Sequence, residues 1–198
     1  MTQNNTAIDR RTYLIATGTV TAGTVSLAGC LSDDATGTLA TQVTDQPGDI
    51  ADFESCIVTI VGMWLGPEGA EAGDEEDEEP ADREYYAYDD PQQADLVELQ
   101  DGATQLVDER ELDIGSYEFL QLDIDGIDPI LTDGSDATVE VPGQAPLTFN
   151  QSFEIREDTR TVFTADFTPV ARGQAEGYVL QPVAQGITVE YEEEQEEA

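Results

Sequence analysis

The sequence predicts an all-β protein, a single antiparallel β-sandwich, and three observations carry the prediction. Apolar and β-branched residues gather into runs of strand length, several with a period of two. Turn-forming Gly, Pro, Asn and Asp punctuate those runs at short intervals. No stretch shows the apolar periodicity of an amphipathic helix, and no segment repeats. About eight short strands over about 155 residues suit one sandwich domain.

The chain opens on a segment outside that domain. Asp9-Arg10-Arg11-Thr12-Tyr13-Leu14 precedes a run from Thr12 to Gly29 that is rich in Thr, Gly and Ala. A transmembrane helix needs about 20 predominantly apolar residues, and this run is a poor one. An arginine pair ahead of a weakly apolar run resembles a twin-arginine export signal. Leu27-Ala28-Gly29-Cys30 is similar to the lipobox of prokaryotic lipoproteins, in which the cysteine sulfur is alkylated and becomes the new N-terminus. The expectation is a signal peptide over 1–29 that is cleaved, with Arg10 and Arg11 as its export signal. Cys30 is then the lipid-attachment residue and 30–36 the lipidated tether, holding the domain on the outer face of the cell membrane. Two acyl chains hold a protein to a bilayer stably where one does so only marginally. An uncleaved anchor, or a plain signal with an incidental cysteine, is the alternative.

The domain is expected over 37–191. Gly37–Thr44 alternates through Leu39, Thr41 and Val43, then breaks at the turn Asp45-Gln46-Pro47-Gly48-Asp49. Phe53–Leu65 is almost wholly apolar, as in a central strand covered on both faces. Gly66–Glu84 holds an acidic run from Asp74 to Glu79 and is expected to be a disordered insertion joining that strand to Tyr85–Asp89. Asp95–Leu99 is short and apolar. Leu112 to Tyr117 reads as a turn feeding the strand Tyr117–Asp125, which should place Leu120, Leu122 and Ile124 opposite Tyr117, Phe119, Gln121, Asp123 and Asp125. Further strands are expected at Thr138–Val141, Leu147–Ile155, Thr161–Phe167, Tyr178–Val183 and Ile187–Tyr191. Residues 192–198 form an acidic tail.

Charge narrows the partners. The chain has 44 acids against 7 arginines, no lysine and no histidine, for a formal charge of −37. Without residues 1–29 it keeps 43 acids and 5 arginines, a charge of −38. Nucleic acid and anionic lipid surfaces are excluded as partners by sign. So acidic a domain repels itself in dilute buffer and is screened at about 1 M salt, where the Debye length is about 3 Å. This pattern resembles proteins of salt-loving archaea. Cys56 lies in an apolar run and reads as a buried structural thiol.

Catalytic chemistry is mostly excluded as well. Without histidine there is no Ser-His-Asp triad and no His-based zinc site, and without lysine no Schiff base. No cofactor is required; a carboxylate glycoside hydrolase is the remaining enzyme class. Asp45, Asp49 and Asp52 around the Pro47-Gly48 turn are the candidate metal ligands, suited to Ca²⁺, unless they cap backbone amides there. Asp123 to Asp128 departs from the EF-hand template and is read as strand-end solvation. Trp64, Tyr85, Tyr86 and Tyr88 form a candidate ligand platform for a glycan if their strands pair, or else pack a sheet edge.

Several of these pieces together resemble a known lipoprotein family, the domain of unknown function 4382. They are Gly37-Thr38-Leu39 leading into Thr44 to Asp49, Val58-Thr59-Ile60, and Asp95 to Leu99. Leu112 with Gly115-Ser116-Tyr117, Asp166-Phe167 and Gly177 to Val183 complete the set. The resemblance covers about Gly37 to Val189, while Gln121 and Gln181 stand where a basic residue is expected. It implies a transthyretin-like or carbohydrate-binding-like sandwich and no reaction. The expected function is a non-enzymatic, lipid-anchored binding or scaffold domain of a halophile's surface. Its partners would be a cell-surface protein or glycan; a calcium-binding module or a glycoside hydrolase is the alternative.

Overall fold

A computed structural model describes residues 35–46, 48–70, 82–142, 146–173 and 177–193. The expected signal, with Arg10, Arg11 and Cys30, lies outside the described residues.

Two sheets pack face to face, so the all-β sandwich stands. The first contains β4 (Gln105–Asp113), β1 (Thr36–Thr44), β9 (Thr159–Ala171), β10 (Tyr178–Pro182) and β6 (Val139–Glu140) in that order, and β11 (Thr188–Glu193) also pairs with β9. The second runs β3 (Glu84–Asp95), β2 (Phe53–Pro67), β5 (Gly115–Leu131) and β7 (Leu147–Phe149), with β8 (Phe153–Ile155) on β5. Among the described residues the helical pieces are two four-residue 3₁₀ turns, Asp49–Asp52 and Leu96–Leu99. Most pairings are antiparallel as expected, but β1 runs parallel to β9 and β6 parallel to β10. A parallel neighbour needs a crossover, and here the chain visits the second sheet between β1 and β9.

The core lies between the sheets. Leu39 and Val43 of β1 and Phe163, Ala165 and Phe167 of β9 face Val58, Ile60, Met63 and Leu65 of β2 and Leu120 and Leu122 of β5. Phe163 meets Phe153 edge-on at 5.2 Å and Phe149 at 6.4 Å. The inward residues of β2 step from Val58 and Ile60 to Met63 and Leu65, a change of parity. The register shift between Ile60 and Gly62 produces it, since one extra residue turns the rest of the strand over.

Several expectations are corrected. β2 is covered on one face only: Ile57, Thr59, Val61 and Trp64 on its outer face are half-buried. Its end passes Leu65 to Pro67, and β3 is twelve residues long rather than five. The insertion expected at Gly66–Glu84 is therefore shorter, because residues 66–70 continue β2 and its turn; residues 71–81 lie outside the described residues. Leu96–Leu99 is a 3₁₀ turn, capped by Asp95, whose carboxylate accepts the Val97 N–H at 3.1 Å. Tyr117 joins Leu120 and Leu122 in the core because β5 shifts register against Gly66 and Pro67. Leu147–Ile155 splits at Asn150-Gln151-Ser152 into β7 and β8. Glu192 and Glu193 belong to β11 rather than to a tail.

Candidate functional site

The three turn aspartates do not converge. Asp49 accepts the Ala171 N–H at 2.7 Å, and Asp52 accepts the Tyr178 hydroxyl at 2.9 Å, so both tie the turn to the β9–β10 hairpin. Among the described residues no three acidic, cysteine or histidine side chains are arranged to hold a metal ion. Asp49 and Asp52 thus serve as structural aspartates that bond the distant β9–β10 hairpin, and Asp45 stands apart from them.

Asp45 makes no such bond and is 1% exposed. The parallel register places Thr44 of β1 opposite Asp166 of β9, which brings Asp45 beside Asp166. Asp166 is fully buried and accepts the Gln46 N–H at 3.0 Å through Oδ1. Thr168 follows two residues on, on the same face of β9, and is 5% exposed. Both oxygens of Asp45, Oδ2 of Asp166 and Oγ1 of Thr168 are buried without a hydrogen-bond partner. Burial pushes the Asp45 carboxyl up to about 7; the nearby Thr168 hydroxyl opposes the rise without closing a well-formed hydrogen bond, and Asp166 adds to it. Burial likewise pushes Asp166 up to about 6, against the Gln46 N–H. Sequence reasoning had Asp45 but met Asp166 only as part of a family pattern. The available signal is an acidic residue flanked by Phe163, Ala165 and Phe167 in a strand that otherwise carries threonines and apolar residues from Thr161 onward.

The four aromatics divide between two faces. Trp64 and Tyr85 are paired across β2 and β3 on the outer face, with ring centroids 4.4 Å apart. Arg83 lies 4.0 Å over the Trp64 ring and donates to Gln121 at 2.7 Å, and Gln121 donates on to Thr148 at 2.8 Å. Tyr85 is 41% exposed and donates its hydroxyl to Asp123. Tyr86 and Tyr88 pack instead against the core cluster, with Arg110 of β4 4.9 Å from one ring and 5.7 Å from the other. Period two forces the split, since Tyr85 and Tyr86 are neighbours in one strand.

Tyr88 and Arg110 face each other across an open groove of about 600 Å³ between β3 and β4, the edge strands of the two sheets. Asp89, Asp90, Asp108 and Glu109 line it as well. Arg110 is held from its own strand by both oxygens of Asp108, at 2.5 and 2.7 Å, which raises its pKa further. Burial, then Asp108, holds the Tyr88 hydroxyl above the ordinary phenol range, partly opposed by Arg110. The groove offers carboxylate acceptors and the side of one tyrosine. It went unread because β4, with its run of charges, did not look like a strand.

Cys56 is buried in the core, and burial first, then Asp95 and Asp45, pushes its thiol up to about 12. That is an inert structural thiol, as its setting in the sequence implied.

A family model described as Domain of unknown function (DUF4382) matches residues 36–182, from the first residue of β1 to the last of β10. No curated protein and no solved structure matches the chain. The matched span covers both buried carboxylates and the groove, and the chain belongs to this family.

Proposed function

We propose that this DUF4382 domain is a non-enzymatic, lipid-anchored binding domain of a salt-adapted cell, taking a neutral, hydroxyl-rich glycan in the β3–β4 groove. Support for the address is in the sequence: Arg10-Arg11 as a twin-arginine signal, and Leu27 to Cys30 as a lipobox. Cys30 would carry the lipid and hold the domain at the outer face of the membrane. The observation that carries the binding reading is the groove's lining. Four carboxylates stand against one arginine that is already engaged by Asp108. Anionic ligands are repelled there, whereas sugar hydroxyls donate to carboxylates and sugar faces pack on tyrosine.

A hydrolase reading is weaker on chemical grounds. A glycosidase needs one acid that keeps its proton near neutral pH, beside a second carboxylate at the substrate. The two carboxyls pushed that way, Asp45 and Asp166, are buried and do not line the groove.

Two experiments test the proposal. Neutral oligosaccharides titrated into the full chain in molar salt should bind, and Asp89→Asn/Asp90→Asn, both at exposed positions, should weaken binding by about tenfold, the worth of a charge-assisted hydrogen bond. Equal binding by the double variant would place the ligand elsewhere. Cys30→Ser should stall processing or release the protein to the medium; retention of the cleaved variant on membranes would remove the lipid anchor from the reading.

A further inference from the structure

We propose that Asp45, Asp166 and Thr168 form an internal Ca²⁺ site where the end of β1 meets the middle of β9. This site does not depend on the glycan reading and uses none of the groove's residues.

The argument begins from satisfaction. Buried polar atoms are nearly always hydrogen-bonded, and each exception calls for an ion or a water. Four exceptions stand together here: Oδ1 and Oδ2 of Asp45, Oδ2 of Asp166 and Oγ1 of Thr168. Three are carboxylate acceptors, and the fourth is a hydroxyl that accepts equally well. Two neighbouring buried carboxylates with no cation between them are costly, because desolvation and mutual repulsion act together. Among the described residues no protein cation is free to serve. Each of the five arginines in the described residues is held elsewhere: Arg83 by Gln121, Arg110 by Asp108, Arg156 by Glu154, Arg160 by Glu109 and Glu192, and Arg172 by Glu140.

Two glycines shape the surroundings. A side chain at Gly48 would meet Thr168 Oγ1 at 2.6 Å, and one at Gly186 would run into the Asp166 carboxylate. Bare backbone therefore closes over the cluster from two turns that are distant in sequence, Gly48 after β1 and Gly186 after β10. Only glycine permits that approach.

The donor set selects the ion. All the atoms are oxygen, with no nitrogen or sulfur ligand, which favours a hard cation over zinc or copper. Two carboxylates balance a divalent charge. Ca²⁺ accepts irregular coordination and a chelating carboxylate such as Asp45. The rest of a Ca²⁺ shell of about six to eight oxygens would be water or backbone carbonyl, in whatever arrangement the cluster allows, whereas Mg²⁺ demands a near-ideal octahedron at shorter distances.

The test uses the full chain in molar KCl at pH 8, stripped with EDTA and then given CaCl₂ or MgCl₂. Calcium should raise the melting temperature and magnesium should not. Equilibrium dialysis should find one more bound Ca²⁺ per chain in the wild type than in Asp166→Asn. Asp49→Asn/Asp52→Asn should keep the calcium-induced rise. Thr168→Val, a near-isosteric change, should raise the calcium Kd roughly tenfold or more without abolishing folding, which covers the case in which Asp166→Asn does not fold. A rise reproduced by Mg²⁺, a rise that survives Thr168→Val unchanged, or no rise in the wild type would overturn the site. The last result would leave a shared proton or a buried water as what satisfies these oxygens.

Discussion

Three aspartates within one turn have different fates because their surroundings differ. Asp49 and Asp52 sit at the surface and accept hydrogen bonds from Ala171 and Tyr178, whereas Asp45 is taken out of water with no donor of its own. In chelator, the Asp45 carboxyl has a folded-state pKa of about 7 against an ordinary 3.8. Its sign follows from linkage: folding takes up a proton between these values. The stability this proton contributes is fully present below about pH 4 and is lost as pH rises through about 7. Asp45→Asn is neutral at every pH and nearly the same shape. With EDTA at pH 8 and molar salt, it should therefore melt above the wild type by at least roughly 2–4 °C, the shift that about 1 kcal/mol produces in a chain of this size. At pH 5 the gap should narrow, and it should close only below about pH 4, where the carboxyl is protonated in the unfolded chain as well. Measuring the difference between variant and wild type removes the pH dependence of the many surface acids. A gap that is the same at both pH values would mean that Asp45 is not held as a buried acid.

The elements that were legible are those whose alternation is read directly as burial. β1, with Leu39 and Val43, and β9, with Phe163, Ala165 and Phe167, face the core as their spacing implies. β4 was not legible: as an edge strand it carries Asp108, Glu109, Arg110 and Glu111 and keeps only Val107 and Leu112 buried, so its pattern is that of a solvated segment. β3 runs past the expected end at Asp89 and through Pro91, a proline that an edge strand tolerates. The site was half legible for a related reason. Asp45 stands out in its turn, but only the parallel β1–β9 register brings it beside Asp166, and that pairing leaves no local trace in the sequence. At the far end of β2, Gly66 offers a test of local packing. A methyl group there would run into the Phe119 ring, which is 2% exposed and lies opposite Gly66 in the register. Gly66→Ala should cost about 1–3 kcal/mol in urea unfolding at molar salt, the range for overpacking, and Phe119→Leu in the same chain should recover part of it. A single variant within about 0.5 kcal/mol of wild type would show that the ring moves aside freely.

At the scale of the whole molecule the balance is between a sandwich core and an acidic surface with few cations. The five arginines of the described residues are all engaged within the fold and cancel only a small part of the carboxylate excess. Ion pairs such as Arg160 with Glu109 and Glu192 stitch β4, β9 and β11 together, yet exposed pairs contribute little and salt weakens them. Repulsion among the chain's 44 acids must therefore be met by screening. Lowering the salt from about 1 M to about 0.1 M lengthens the Debye length from about 3 Å to about 10 Å, so carboxylates that ignored each other begin to interact. The chain should accordingly lose its β-type circular dichroism over that range and regain it when KCl is restored. The source of the repulsion can be located by deletion. Residues 71–81 and 194–198 carry seven and three of the acids and lie outside the described strands. Removing both segments takes ten negative charges away without touching the core, and should move the midpoint to lower salt. An unchanged midpoint would assign the repulsion to carboxylates within the sheets, among them Asp45 and Asp166. Calcium and magnesium added separately to the low-salt sample distinguish that case: calcium alone should restore the fold if the buried pair sets the requirement for salt, and both should restore it if the surface does.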